Sequence, residues 1–126
     1  MIVGLGIDAI DIDRIKRMYD DKGQRMLDRL FRQAELAYLA TKQDPAQHLA
    51  VRLAAKEAAY KALSGTDHAR GIGWRDVEVV TQADGSPVLR FYGRAADRLA
   101  ELGATSTAVS LTHSASTAVA VVVIER

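Results

Sequence analysis

The hydrophobic and polar positions of this chain repeat with two periods. Residues 2–10 (IVGLGIDAI) alternate, with Val3, Leu5 and Ile7 on one face and Gly4, Gly6 and Asp8 on the other, which predicts a strand. The glycine face lacks bulk, so another group can approach that backbone closely. The period then becomes helical. Asp11 is a candidate N-cap, Ile12, Ile15 and Tyr19 form an apolar stripe, and Gly23 ends the helix. Residues 25–42 read as helix, with a break near Phe31. Pro45 suits a first helical turn, and the Ala-dense stretch from there to Leu63 is the most helical of the chain. On a helical wheel Val51, Ala55, Ala58, Ala59 and Ala62 share one stripe, and Ser64, Gly65 and Thr66 close the helix.

The second half is read mainly as strands. A loop over 66–75 precedes a strand at 76–81, a turn at Asp84-Gly85 and a partner strand at 88–92. A short helix over 94–102 turns Ala96 and Leu99 inward and ends at Gly103. Strands over 106–113 and 117–125 are joined by a Ser/Ala turn. This order predicts an α+β fold, a mostly antiparallel sheet packed with a long central helix, in one domain spanning residues 1–126.

Composition narrows the possibilities. At 126 residues and 48% hydrophobic the chain can bury a core, and its 6% aromatic content makes that a core of small side chains in close contact. A domain of this size buries only part of its surface alone, which favours oligomers. The formal net charge of +1 gives no strong case for nucleic acid or an anionic membrane as partner. Cysteine is absent, which removes disulfides, thiolate metal sites and a Cys nucleophile. Residues 1–10 lack a basic n-region and are interrupted by Asp8, so neither a signal peptide nor a membrane span is expected, and a cytoplasmic location is.

Several residues could carry chemistry. Asp8, at a strand end, could hold a hard cation such as Mg²⁺ or could be a solvated or capping acid. Glu57 and Lys61 lie four apart on one helix face. They could be an ordinary surface pair, or a carboxylate for a metal and an ammonium for a phosphate. Arg52 and Lys56 add charge to the same helix, and Ser64 and Gly65 sit at its C-terminus, where the dipole disfavours anions and a phosphate needs Lys61, Arg52 or a metal. His113 closes the strand TAVSLTH and could face a ligand or a turn. Arg14, Met18, Arg25, Arg29 and Arg32 could share one side of a helical hairpin suited to an acidic helix, or belong to a mixed solvated surface.

Three blocks in order, GLGIDAIDIDRI at 4–15, RLAAKEAAYKAL at 52–63 and SLTHSASTAVAVVVIE at 110–125, resemble the holo-acyl-carrier-protein synthase type of 4′-phosphopantetheinyl transferase. LFRQAE and GIGWRDVEV fit weaker blocks between them, while the loop SGTDHARGIGW departs from the family's Gly-Thr-Gly. The resemblance implies Asp8 and Glu57 as Mg²⁺ ligands and Lys61 on the phosphates of coenzyme A. It implies Ser64, Gly65, Arg52 and His113 as further coenzyme A contacts, His113 near the nucleotide end. Arg14, with Met18 and Arg25, would dock an apo-acyl carrier protein. It implies a homotrimer with active sites between subunits. The implied reaction is attack of a carrier-protein serine on the β-phosphate, releasing 3′,5′-ADP, with Lys61 assisting and Glu57 accepting the proton through a metal-bound water. Two other readings keep the same residues: a different Mg²⁺-dependent enzyme of nucleotide pyrophosphates, and a non-catalytic module binding an acidic helical partner.

Overall fold

A computed structural model describes residues 1–64 and 70–126. In chain order the elements are β1 (Ile2–Asp11), α1 (Ile12–Lys22), α2 (Gln24–Leu30), α3 (Gln33–Ala40), α4 (Ala46–Leu63), a 3₁₀ turn (Trp74–Asp76), β2 (Val77–Thr81), β3 (Pro87–Phe91), α5 (Gly93–Glu101), β4 (Ser106–His113) and β5 (Thr117–Glu125). The α+β expectation holds, and every strand pairing is antiparallel. The strands form two sheets rather than one: β1-β5-β4, and the β2-β3 hairpin.

Local chemistry sets the element ends. Asp11 caps α1 by accepting from the amide of Asp13, and Gly23, at φ 58°, lets the chain turn out of α1. Phe31 is extended and buried, so the predicted break near it separates α2 from α3. In α5 the buried alanine is Ala95, with Leu99 and Leu102 packed inward beside it. The expected inward Ala96 is thereby corrected by one position: residues 95, 99 and 102 follow the helical spacing that faces the core.

The axis of the fold is α4 against β1. Gly6 and Gly4 let the helix backbone rest on the strand: a Cβ at Gly6 would lie 1.8 Å from the carbonyl oxygen of Ala58, and one at Gly4 2.3 Å from that of Ala62. The group that approaches the bare glycine face is thus the helix. The same sheet face carries Val122 and Ile124, both fully buried beneath α4, each contributing about 1.5–3 kcal/mol by burial. A second core joins Ile12, Ile15, Leu27, Phe31, Leu39 and Leu49 where α1, α2 and α3 wrap the start of α4. The opposite sheet face is uncovered. Leu5 and Ile7 are 62% and 60% exposed there, beside Val123 and Val121. Among the described residues no helix is long and apolar enough to cross a membrane.

Candidate active site

The β1–α4 contact creates the site. Asp8 lies on the strand face shared with Gly4 and Gly6, opposite the small Ala120 on β5, and so points at the α4 turn that carries Glu57 and Lys61. Lys61 Nζ is 2.9 Å from Asp8 Oδ1 and donates to the carbonyl of Ile7 at 3.0 Å. The Asp8 side chain is 16% exposed and that of Lys61 50%, so the pair sits at a rim open to solvent. Partial burial pushes the Glu57 carboxyl above the ordinary glutamate value, the Asp8 charge adds to the rise and Lys61 opposes it. The margin of the α4 apolar stripe thus presents Glu57 and Lys61 to the strand as well as to solvent.

Two clefts meet at this point. One, of about 320 Å³, is lined by Asp8, Arg14, Met18, Leu53, Glu57 and Trp74. The other, of about 200 Å³, lies farther along α4 between Glu57, Tyr60, Ile72 and Trp74. Glu57 and Trp74 line both. Arg25 and Arg29 line a separate surface groove of about 500 Å³ that shares Met18 and Leu30 with the first cleft. Arg14, Met18 and Arg25 therefore occupy one continuous edge beside Asp8. Arg32 leaves that edge: its guanidinium lies 3.6 Å over the Tyr92 ring and its Nε donates to the Arg75 carbonyl.

The remaining candidates fall elsewhere. Ser64 is the C-cap of α4, its hydroxyl donating to the Lys61 carbonyl at 3.0 Å, and Gly65 lies outside the described residues. Arg52 is buried under α3. It donates to the His48 carbonyl and to Thr81 Oγ1 at 2.9 Å and lies 4.2 Å over the Tyr38 ring, while its Nε has no partner. Arg52 and His113 nonetheless act on a common neighbour. Burial first, then the charges of Arg52, Lys42 and His113, hold His48 below its ordinary value. The charges of Arg52, Lys42 and His113 thus reach His48 where α4 begins and β4 ends, with Asp44 opposing them. Helical spacing along α4 does not show that His48 feels Lys42 and His113, because those neighbours come from other segments of the chain.

Lys56 was also hidden from the helical wheel. Its ammonium is buried and donates to Glu35 at 3.0 Å and to the carbonyls of Trp74 and Val77. Glu35 in turn accepts from the amides of Arg32 and Val79. A residue type that reads as solvated surface is tolerated inside because every donor and acceptor is matched.

Residues 4–122 match the model of the 4′-phosphopantetheinyl transferase superfamily, and the chain belongs to that family. Within it, the chain is 46% identical over 126 residues to holo-acyl-carrier-protein synthase of Geobacter metallireducens, covering 100% of this chain and 99% of the relative. Its fold is similar to the crystal structure of the synthase from Neisseria meningitidis, with TM-score 0.86, 29% identity and full coverage of both chains. It is also similar to the synthase from Bacillus anthracis in complex with CoA (3′,5′-ADP), with TM-score 0.79, 31% identity, and 98% and 96% of the two chains covered.

Proposed function

We propose that this protein transfers 4′-phosphopantetheine from coenzyme A to a serine of an apo-acyl carrier protein, releasing 3′,5′-ADP, in support of fatty acid biosynthesis in the cytoplasm. The observation that carries the reading is that Asp8, from the first strand, is paired with Lys61 and faces Glu57, the carboxylate that lines both clefts.

The donor set fits Mg²⁺. Asp8 and Glu57 offer hard carboxylate oxygens, close enough for the Asp8 charge to raise the Glu57 carboxyl. Among the described residues no group of three or more His, Cys, Asp or Glu forms a closed cage. Two carboxylates, with water and substrate phosphates completing the shell, is the set Mg²⁺ takes at phosphate-transfer sites. When bound, the ion supplies neutralisation of pyrophosphate charge.

The chain's own groups do the rest. Lys61 turns its ammonium from Asp8 to the pyrophosphate, where it offsets charge on the leaving oxygen. The serine oxygen forms a bond to the β-phosphorus, the bridging P–O bond breaks toward 3′,5′-ADP, and the serine proton passes to Glu57. The terminal phosphate of the nucleotide suits His113, whereas Arg52, buried and directed at the His48 carbonyl, Thr81 and Tyr38, does not reach the surface to touch it. Ser64, the C-cap of α4, belongs to the pyrophosphate approach. Arg14, Met18 and Arg25 offer two cations around an apolar residue to an acidic helix of the carrier protein. The uncovered face with Leu5, Ile7, Val121 and Val123 favours self-association, the homotrimer with active sites between subunits being the assembly proposed.

Intact mass spectrometry of an apo-acyl carrier protein, after incubation with this protein, coenzyme A and Mg²⁺, tests the reading. Gain of one phosphopantetheine, lost in Asp8→Asn and Glu57→Gln, is expected. Release of phosphopantetheine into water, or no reaction with several folded carrier proteins, rejects it.

A further inference from the structure

Trp74 is the single tryptophan of the chain, and at 41% exposure it is one of few large apolar side chains left open. It stands where both clefts meet Glu57. Tyr60, 43% exposed, and Ile72 extend the same apolar wall away from the carboxylates. An open aromatic surface beside a charged centre marks a binding surface for the uncharged part of a ligand whose charged part sits at that centre.

The backbone beneath Trp74 is held from both sides. Lys56 donates to the carbonyls of Trp74 and Val77, and Arg32 Nε donates to the carbonyl between them, that of Arg75, at 2.6 Å. Asp76 closes the turn by accepting from the Gly73 amide at 2.9 Å. Glu35 fixes the Lys56 ammonium and ties it to β2 through the Val79 amide. Lys56 is the residue immediately before Glu57, so one helical turn sets both the carboxylate and the height of the wall above it. Apolar residues of similar volume hold a fold together about as well as a buried ion pair. What the pair adds is directed bonds to named carbonyls.

We propose that Trp74 is a substrate-contacting residue, its indole forming the wall on which the uncharged arm of coenzyme A lies as it leaves the reacting phosphate, with Lys56 and Glu35 as positioning residues for it. The inference rests on the reading that the Asp8–Glu57 centre holds the pyrophosphate. The arm begins at the β-phosphate oxygen with a methylene, followed by a carbon bearing two methyl groups, and continues through two amides. These are groups that lie well on an aromatic face, and the wall adjoining Glu57 is what they meet first.

The single tryptophan makes this directly measurable. In the presence of Mg²⁺, titration with coenzyme A is expected to change the Trp74 emission, and saturating 3′,5′-ADP, which lacks the arm, to change it far less. Trp74→Ala is expected to raise KM for coenzyme A about tenfold, a loss of about 1.4 kcal/mol of contact, with a smaller effect on kcat and an unchanged inhibition constant for 3′,5′-ADP. Trp74→Phe restores most of the loss. The double variant Glu35→Leu with Lys56→Met removes both charges of the pair together, leaving Glu78 with its hydrogen bond from the Tyr92 hydroxyl. It is expected to keep its circular dichroism spectrum, to shift the Trp74 emission and to raise the coenzyme A KM as Trp74→Ala does. Equal emission changes with both ligands, an unchanged KM in Trp74→Ala, or a folded double variant with the wild-type KM each overturns the proposal. Failure of the underlying reading has a different signature: calorimetry then shows no binding of either ligand to the wild-type protein.

Discussion

Lys61 Nζ rests 2.9 Å from Asp8 Oδ1, so one ammonium neutralises the carboxylate that faces Glu57 across the site. A cation arriving at Asp8 meets this resident charge, and Lys61 becomes free to meet a phosphate only when it leaves. In the proposed reaction this exchange would couple metal and coenzyme A: each would give the other's partner somewhere to go.

Lys61→Gln is therefore expected to bind Mg²⁺ more tightly than wild type when coenzyme A is absent. The pair is half exposed on the lysine side and screened, so the gain is modest, up to about fivefold. Transfer should fall about a hundredfold, because the donor that offsets leaving-group charge is gone. Calorimetric Mg²⁺ titration beside steady-state kinetics checks both. Equal or weaker metal binding in the variant counts against the exchange.

Glu57 gives the metal-free protein an unusual pH dependence. Its folded carboxyl titrates above the ordinary value of 4.5, chiefly through burial. Between those two values the unfolded chain has released its proton and the folded chain still holds it. Stability then falls as pH rises through that window. Denaturant midpoints collected in chelator across the window should show this fall, and Glu57→Gln should flatten it.

Gly6→Ala tests whether the close β1–α4 approach builds the site. The added Cβ would meet the Ala58 carbonyl at 1.8 Å, a backbone atom that cannot swing away. The expected cost is about 3 kcal/mol in a urea titration, the upper range for overpacking. Mg²⁺ affinity should fall as well, because pushing α4 from β1 parts Asp8 from Glu57.

The buried Lys56–Glu35 pair should behave asymmetrically. Lys56→Met alone leaves Glu35 charged and buried and is expected to cost about 3–5 kcal/mol. Adding Glu35→Leu should recover much of that. Thermal or chemical denaturation of the single and double variants supplies the comparison.

Arg25→Glu is expected to raise KM for the carrier protein about tenfold with the coenzyme A KM unchanged, since Arg25 lines the groove beside Met18 and not the clefts at Glu57. The wild-type carrier KM should itself rise with salt, and the variant should lose that sensitivity. A shift in both substrates' KM would place Arg25 in the wrong partner's site.

Much of the architecture was legible along the chain. The Asp11 cap, the Gly23 stop, the break at Phe31, the Ala-rich helix to Leu63 and the last two strands follow from local rules of period, capping and turn chemistry, which need no knowledge of distant residues. The split of the strands into two sheets was not legible, because pairing depends on which edges meet after collapse. The shift from Ala96 to Ala95 reflects the same limit, since both alanines lie within a turn of Leu99 and the neighbouring elements decide which of them is covered.

For the site the division is sharper. The residue types at positions 8, 57 and 61, and the glycines that clear the way at 4 and 6, are sequence properties, and helical spacing puts Glu57 and Lys61 on one face. Whether that face met solvent or Asp8 was decided by the packing of α4 on β1, a contact between segments some fifty residues apart in sequence. Packing likewise turned Lys56 and Arg52, charged by sequence, into buried residues, and brought Trp74 and Glu57 to the walls of the same two clefts. Spacing fixes which side chains share a face. Only the tertiary structure determines what that face is pressed against, because burial, partner geometry and the local dielectric are properties of the assembled neighbours.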